Sequence, residues 1–344
     1  MAMGHVTTHA RTFVDTAAVR TAVPLMLGLV GPSGGGKTFS ALRLAAGIQR
    51  VTGGEVYMID TEARRGLHYA EQFRFRHLEF VAPFGPLDYL AAIEHCVKKG
   101  AKVCVIDSAS HEHEGPGGVL EMHDQETRKR AAAWDKSEDA VQMGAWGPAK
   151  AERRRMINAV LQLPISTIWC FRAKEKLKII PGKPPKSMGW MPIAGEEFVY
   201  EMTARCLLMP SANGVPTWES NEPGEKETMK RPGQFREILA DRVQLSEDVG
   251  EAMARWAGGG SVSDVATGLL ADIAVADDAG LKAIEPRFKA ARATLSRADI
   301  QAIGAAVTAR RAALAAPAPA PAAEEPAPTE TPAANEAARE PGDE

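Results

Sequence analysis

The chain has 344 residues, 45% apolar and 25% charged, with a formal net charge of −3. Those proportions are ordinary for a soluble globular protein, and the length suits one large domain plus an appendage. No apolar run approaches the roughly 18 residues of a membrane span, and the N-terminus lacks the apolar core of a signal peptide. Cys96, Cys104, Cys170 and Cys206 are widely spaced and form no C-x-x-C pair. Reduced thiols in a cytoplasmic protein are expected, not a zinc site or a disulfide framework. The charge is unevenly spread. Residues 317–344 carry a net −6, which leaves the body near +3.

Residues 1–23 form a polar leader. Leu25–Val30 reads as a first strand, followed by a glycine-rich turn and a helix from Phe39 to Ile48. Glu55–Asp60 is a second strand, introduced by Thr52-Gly53-Gly54. A helix over Arg64–Phe73 and a third strand at Leu78–Ala82 follow. Leu87–Lys99 has helical spacing, with Leu87, Leu90, Ile93 and Val97 on one face, and stops at Gly100. Val103–Asp107 is a fourth strand. Helices are expected near Gly118–Ala133 and Ala149–Leu163, and Ile165–Phe171 is a fifth strand. A basic loop spans Arg172–Lys186. Helix Glu196–Met202 and strand Arg205–Met209 come next, and Val215–Trp218 closes a hairpin through Asn213-Gly214. Strands alternating with helices imply an α/β fold with a mostly parallel sheet over residues 24–257. Residues 258–261 read as a Gly/Ser linker. Residues 262–315 read as a small helical appendage with breaks near Gly280 and Glu285-Pro286. The Pro/Ala/Glu-rich stretch 316–344 reads as a disordered tail.

The most informative stretch is Gly31-Pro32-Ser33-Gly34-Gly35-Gly36-Lys37-Thr38. It fills G-x-x-x-x-G-K-[ST] between a strand and a helix, the context in which backbone N–H groups converge on phosphate oxygens. Small residues are needed because side chains would block that approach. The helix start adds the positive end of its dipole. Residues Gly31 to Phe39 are therefore the candidate nucleotide-binding set. Lys37 reaches the β- and γ-phosphates, and the Thr38 hydroxyl serves Mg²⁺. Asp107, ending the fourth strand, fits the aspartate that holds the same ion, with a helix-capping role before Ser108 as the alternative.

Hydrolysis needs a carboxylate to orient the attacking water. Ser108 occupies the place directly after Asp107, so the base must lie elsewhere. Glu62, in Asp60-Thr61-Glu62 at the tip of the second strand, is the natural candidate. Glu112 and Glu114 are its rivals.

GPSGGGKT, MIDTE and VIDS, in that order, resemble the RecA-like recombinase ATPases. In those proteins one strand ending in Asp-x-Glu carries the catalytic glutamate and another ends in Asp-Ser. More closely, the chain resembles compact phage-encoded RecA-like ATPases that accompany single-strand annealing and recombination genes. These carry segments similar to IDSASHEHEG and RAKEK. The resemblance covers residues 24–240. It implies a RecA-like P-loop NTPase core, ATP and Mg²⁺ as cofactors, single-stranded DNA as partner, and a homo-oligomer. By position it makes Glu62 the catalytic glutamate and Asp107 the metal aspartate. The fifth strand departs from the family. Phe171-Arg172-Ala173-Lys174 stands where a glutamine sensor is usual, so Arg172 or Lys174 becomes the candidate phosphate sensor or arginine finger.

The basic loop carries Lys174, Lys176, Lys178, Lys183 and Lys186 against one acid, Glu175. Such a cluster attracts a phosphate backbone without sequence preference, and Trp190 offers a stacking surface. A merely solvated loop is the alternative. His111 and His113 in His111-Glu112-His113-Glu114 are read as part of a polar DNA- or nucleotide-responsive loop, with a metal site as the weaker reading. Arg153-Arg154-Arg155 reads as a solvated helix face, with a DNA or partner surface as the alternative. Together these readings predict an ATP-hydrolysing protein acting on single-stranded DNA in phage-type recombination or replication. The acidic tail offers itself to a protein partner or to the basic surface. The alternative is a P-loop switch or loader ATPase acting on a protein partner. A small-molecule phosphotransferase is weaker still, since no lid-like arginine cluster is tied to an acceptor pocket.

Overall fold

The computed structural model describes residues 23–182, 184–258, 264–292, 295 and 297–315. The leader, most of the linker, the tail and Lys183 lie outside the described residues. The chain divides into two compact units between residues 263 and 264.

The first unit is an α/β fold. Its strands are β1 (Met26–Gly31), β2 (Glu55–Asp60), β3 (Arg76–Glu79), β4 (Ala101–Asp107), β5 (Ser166–Lys178), β6 (Lys186–Pro192) and β7 (Ala204–Leu207). Six of them run parallel in the order β3-β2-β4-β5-β1-β7, and β6 pairs antiparallel with the second half of β5. The central strands are continuous apolar runs because both sheet faces are covered. Helix α1 (Lys37–Thr52) packs on one face with α8 (Glu247–Ala257), through Leu42, Leu44, Ile48, Val249 and Met253. Helices α2 (Pro86–Lys98) and α5 (Glu138–Val160) cover the other, through Ile93, Cys96, Met156 and Val160. The remaining helices of this unit are α3 (His111–Glu114), α4 (Val119–Trp134), α6 (Glu196–Tyr200) and α7 (Pro223–Thr228). All four cysteines are buried and unbridged.

The strand order places β5 between β1 and β4. The C-terminal ends of β1, β2, β4 and the parallel part of β5 therefore meet along one sheet edge, where ligands of open parallel sheets bind.

Several elements differ from the sequence reading. The expected helix 64–73 is a single 3-10 turn, Arg65–Tyr69. The Asp60 carboxylate accepts from Glu62 N (2.7 Å) and Gly66 N (2.9 Å), which folds the chain back before a full helix can form. The third strand lies at 76–79, not 78–82. Helix α5 begins at Glu138, eleven residues before the expected Ala149, and runs through Pro148. The basic stretch after Phe171 is not a loop. Its first half continues β5 to Lys178 and returns as β6. The expected strand 215–218 is reduced to one bridge between Leu207 and Thr217, although Asn213 and Gly214 do adopt the left-handed turn.

The second unit contains α9 (Asp264–Val275), α10 (Asp278–Ala291) and α11 (Arg297–Ala315). The first break falls at Asp277, whose carboxylate caps α10 by accepting from Gly280 N at 2.7 Å. Pro286 lies inside α10 and does not break it. No helix among the described residues is long and apolar enough to cross a membrane.

Candidate nucleotide site

The turn between β1 and α1 is built on glycines for two different reasons. At Gly31 the reason is space: a Cβ there would lie 2.2 Å from the carbonyl oxygen of Leu208. At Gly36 it is conformation, with φ at 77° as the helix begins. Gly36 brings no capping side chain, so the first-turn N–H groups of α1 keep their anion-binding capacity.

Lys37 Nζ donates to Gly31 O (2.9 Å) and Pro32 O (2.8 Å), arching over the turn. Burial pulls its pKa down, and the nearby negative groups, Asp107 and Glu62 among them, oppose that. The Thr38 hydroxyl donates to Asp107 Oδ2 at 2.5 Å. This contact joins the helix start to the end of β4. Burial pushes the Asp107 carboxyl up to about 6, while the Thr38 hydrogen bond and the Lys37 charge pull it back.

Glu62 sits beyond β2 with its Oε1 accepting from Arg172 Nη2 (2.6 Å) and Nε (3.0 Å). Arg65 approaches its other oxygen at 3.5 Å. A cavity of about 560 Å³ is lined by Lys37, Thr38, Glu62, Asp107, Glu114 and Arg172. Segments distant in sequence thus bring Lys37, Thr38, Glu62, Asp107, Glu114 and Arg172 to one opening above the phosphate turn.

The floor of the site is a hydrogen-bonded unit not visible in the sequence reading. Thr61 Oγ1 accepts from Ser108 N (2.7 Å) and lies 2.7 Å from His111 Nδ1. Tyr89 donates to Ser108 O at 2.9 Å, and the Ser110 hydroxyl accepts from Arg172 N at 2.9 Å. Thr61 and Asp60 therefore set the position of Glu62 from below. The signal available was the pair of polar residues closing an otherwise apolar strand.

Other expectations require correction. Glu112 is fully buried and held by Arg153 through two bonds of 2.9 Å, so it is not a rival base. Glu114 does line the cavity. Arg153 is 2% exposed, not part of a solvated face; its neighbours Arg154 and Arg155 are exposed. His111 is committed to Thr61 and stacks on Phe84, while His113 Nδ1 accepts from Arg153 at 3.0 Å. Both histidines are half-buried. No cluster of three or more metal-ligating His, Cys, Asp or Glu residues occurs among the described residues. Lys174, Lys178 and Lys186 are exposed on the β5–β6 hairpin, and Lys176 is half-buried there. None of these lysines lines the cavity. Trp190 packs partly against the core, and its backbone N–H donates to Glu225 at 2.9 Å.

The fold and this constellation define a P-loop nucleotide-binding protein. A family model described as an AAA domain (AAA_24) matches residues 24–206, and the chain belongs to that family of P-loop NTPases. The matched span runs from the start of β1 into β7 and contains every residue named at the cavity. No curated protein sequence matches the chain. Membership carries nucleotide binding and ATPase activity as the general function of the fold.

The donor set suits a hard divalent cation such as Mg²⁺. A buried carboxylate beside a threonine hydroxyl offers oxygen ligands only, and Mg²⁺ typically takes one or two protein groups plus phosphate oxygens and water. Thr38 and Asp107 are the residues that would hold it.

Proposed function

We propose that this chain is a RecA-like, Mg²⁺-dependent ATPase that acts on single-stranded DNA, in the manner of phage-type recombination or replication proteins. The observation that carries the proposal is the convergence of Lys37, Thr38, Asp107 and Glu62 on one cavity. Backbone N–H groups at the N-terminus of α1 and the Lys37 ammonium would hold the phosphates of a bound nucleotide. A neighbouring cavity of about 350 Å³, lined by Phe39, Ser40, Met209, Ser211 and Asn213, shares Gly34 and Gly36 of the phosphate turn with the first. It offers room for the nucleoside. Mg²⁺, when bound, offsets the negative charge that builds up on the phosphate oxygens. Glu62 orients a water and takes its proton as that oxygen bonds to the γ-phosphorus and the bond to the β-phosphate oxygen breaks. Arg172 holds Glu62 in position and stands where it can also meet phosphate.

The hairpin formed by β5 and β6 supports the DNA reading. It carries Lys174, Lys176, Lys178 and Lys186, and it is continuous with Arg172 at the cavity. Lys178 and Lys186 face each other across the strands, an arrangement of like charges that a phosphate backbone would relieve. One observation favours a protein partner instead: Leu177 and Ile179 are 61% and 79% exposed among those lysines. ATP hydrolysis measured with and without single-stranded DNA at two salt concentrations separates the readings. Salt-sensitive stimulation, reduced when Lys174, Lys178 and Lys186 are changed to Ala, is the expected result. Hydrolysis indifferent to DNA and to salt would overturn the DNA reading and leave the partner-loading one.

A further inference from the structure

The hydrolysis scheme leaves unused a charged cluster whose central pair, Glu112 and Arg153, is fully buried. It lies at α3, the turn that follows Asp107 by four residues. Glu112 of α3 is 0% exposed, and both its oxygens accept from Arg153 of α5 at 2.9 Å. The same guanidinium donates from Nη2 to His113 Nδ1 (3.0 Å) and from Nη1 to Glu197 (3.2 Å). Burial and the Arg153 charge pull His113 down to about 4, so its ring is neutral and accepts this bond at physiological pH. Glu197 belongs to the first turn of α6, five residues past the end of β6. Gly195, in that connection, makes room for the guanidinium: a Cβ there would lie 1.8 Å from Arg153 Nη1.

The geometry has a consequence for the hairpin. Its first strand is anchored at the cavity, where Arg172 of β5 pairs with Glu62. Its second strand returns past Ile193, which lines the same cavity and donates its N–H to Arg172 O at 2.8 Å. The chain then reaches Glu197 and Arg153. Both roots of the hairpin are therefore tied by ion pairs to segments that border the phosphate cavity. One tie runs to Glu62 after β2, the other through Arg153 to α3 after β4. A buried ion pair contributes little net stability compared with an apolar pair of the same volume, so stability alone gives no reason to place one here.

We infer that Arg153 is a positioning residue that locks the root of β6 to α3, so that the hairpin moves as one body with the phosphate end of the site. The inference rests on the nucleotide reading above. It assigns Arg153 no contact with nucleotide, and it makes the hairpin, not the phosphate cavity, the place where loss of Arg153 is felt.

The test uses the full chain, Mg²⁺-ATP as the probe, and hydrogen exchange of residues 186–192 as the readout. In the wild type, Mg²⁺-ATP is expected to slow exchange in β6 by about threefold or more, the range of modest energetic coupling. Two variants break the lock differently. Arg153→Met with Glu112→Leu replaces the buried pair by apolar side chains and avoids a stranded charge. Gly195→Ala displaces Nη1 from the root while leaving Glu112 paired. Both should bind Mg²⁺-ATP within about threefold of wild type, yet lose the nucleotide response of β6. A response retained in both variants overturns the inference. So does a loss of nucleotide affinity as large as the loss of response, or a wild type that binds Mg²⁺-ATP with no change at the hairpin. Failure of the wild type to bind Mg²⁺-ATP is a different result, and it overturns the nucleotide reading itself.

Discussion

Removing the Arg153 guanidinium alone should be among the most damaging single changes in the first unit. In Arg153→Met, Glu112 remains fully buried and loses both of its 2.9 Å hydrogen bonds. Stranding one partner of a buried pair costs about 3–5 kcal/mol, because the remaining charge has neither water nor counter-ion. Glu112 already feels that pressure. Burial pushes its carboxyl up, and the pull of Arg153 only partly opposes this. Without Arg153 the folded-state pKa rises further above the unfolded value of about 4.3. A carboxyl raised on folding destabilises the native state as pH climbs from the unfolded to the folded pKa, by about 1.4 kcal/mol per unit. The loss in Arg153→Met should therefore be full at pH 7.5 and shrink markedly by pH 4.5. Urea unfolding followed by tryptophan fluorescence suits the measurement, since all six tryptophans lie between residues 134 and 256 and report the first unit alone. Adding Glu112→Leu should recover most of the loss and remove the pH dependence. A loss below about 1 kcal/mol, or one that does not change with pH, would refute the reasoning, since surface pairs have that size and behaviour.

Two further effects follow from the phosphate turn and the end of β4. Gly31→Ala places a methyl group 2.2 Å from the backbone oxygen of Leu208, whose N–H donates to Val30 O beside the turn. A loss of at least about 2 kcal/mol in the same urea assay is expected, with impaired nucleotide binding. Asp107→Asn should act in opposite directions on stability and binding. The Asp107 carboxyl stands at about 6 in the folded chain against an ordinary 3.8, so its ionisation works against folding as pH rises through that interval. Relieving it should stabilise the nucleotide-free protein by up to about 3 kcal/mol above pH 6, with little effect below pH 4. The same change should abolish the contribution of Mg²⁺ to nucleotide affinity, measured by titrating ATP with and without the ion.

What the sequence made legible was the part of the site written in contiguous residues. The phosphate turn, Asp107 at the end of its apolar strand and Glu62 at the end of another need only local pattern. Their meeting follows from the parallel sheet, because such strands deliver their C-terminal ends to one edge. The hidden part depends on partners far apart in the chain. Arg153 sits in a run of three arginines that looks solvated, and its partners are 41 and 44 residues away. Nothing local distinguishes it from Arg154. The hairpin is hidden for a different reason. Lysines at 174, 176 and 178 suggested a loop by composition, although their spacing of two is that of one strand face. Thr61 carries no local signal of its role, since its 7% exposure and its bond to the segment after β4 depend on a partner 47 residues away.

The central claim is that Glu62 serves the chemistry while Lys37 and its turn hold the nucleotide. The most direct measurement compares steady-state Mg²⁺-ATP hydrolysis and ATP affinity in the wild type, Glu62→Gln and Lys37→Ala. Loss of a general base typically lowers turnover by about a hundredfold or more. The account predicts that fall in Glu62→Gln with ATP affinity retained, and loss of both binding and turnover in Lys37→Ala. Unchanged turnover in Glu62→Gln would contradict it and move the base to Glu114, the other glutamate at the cavity.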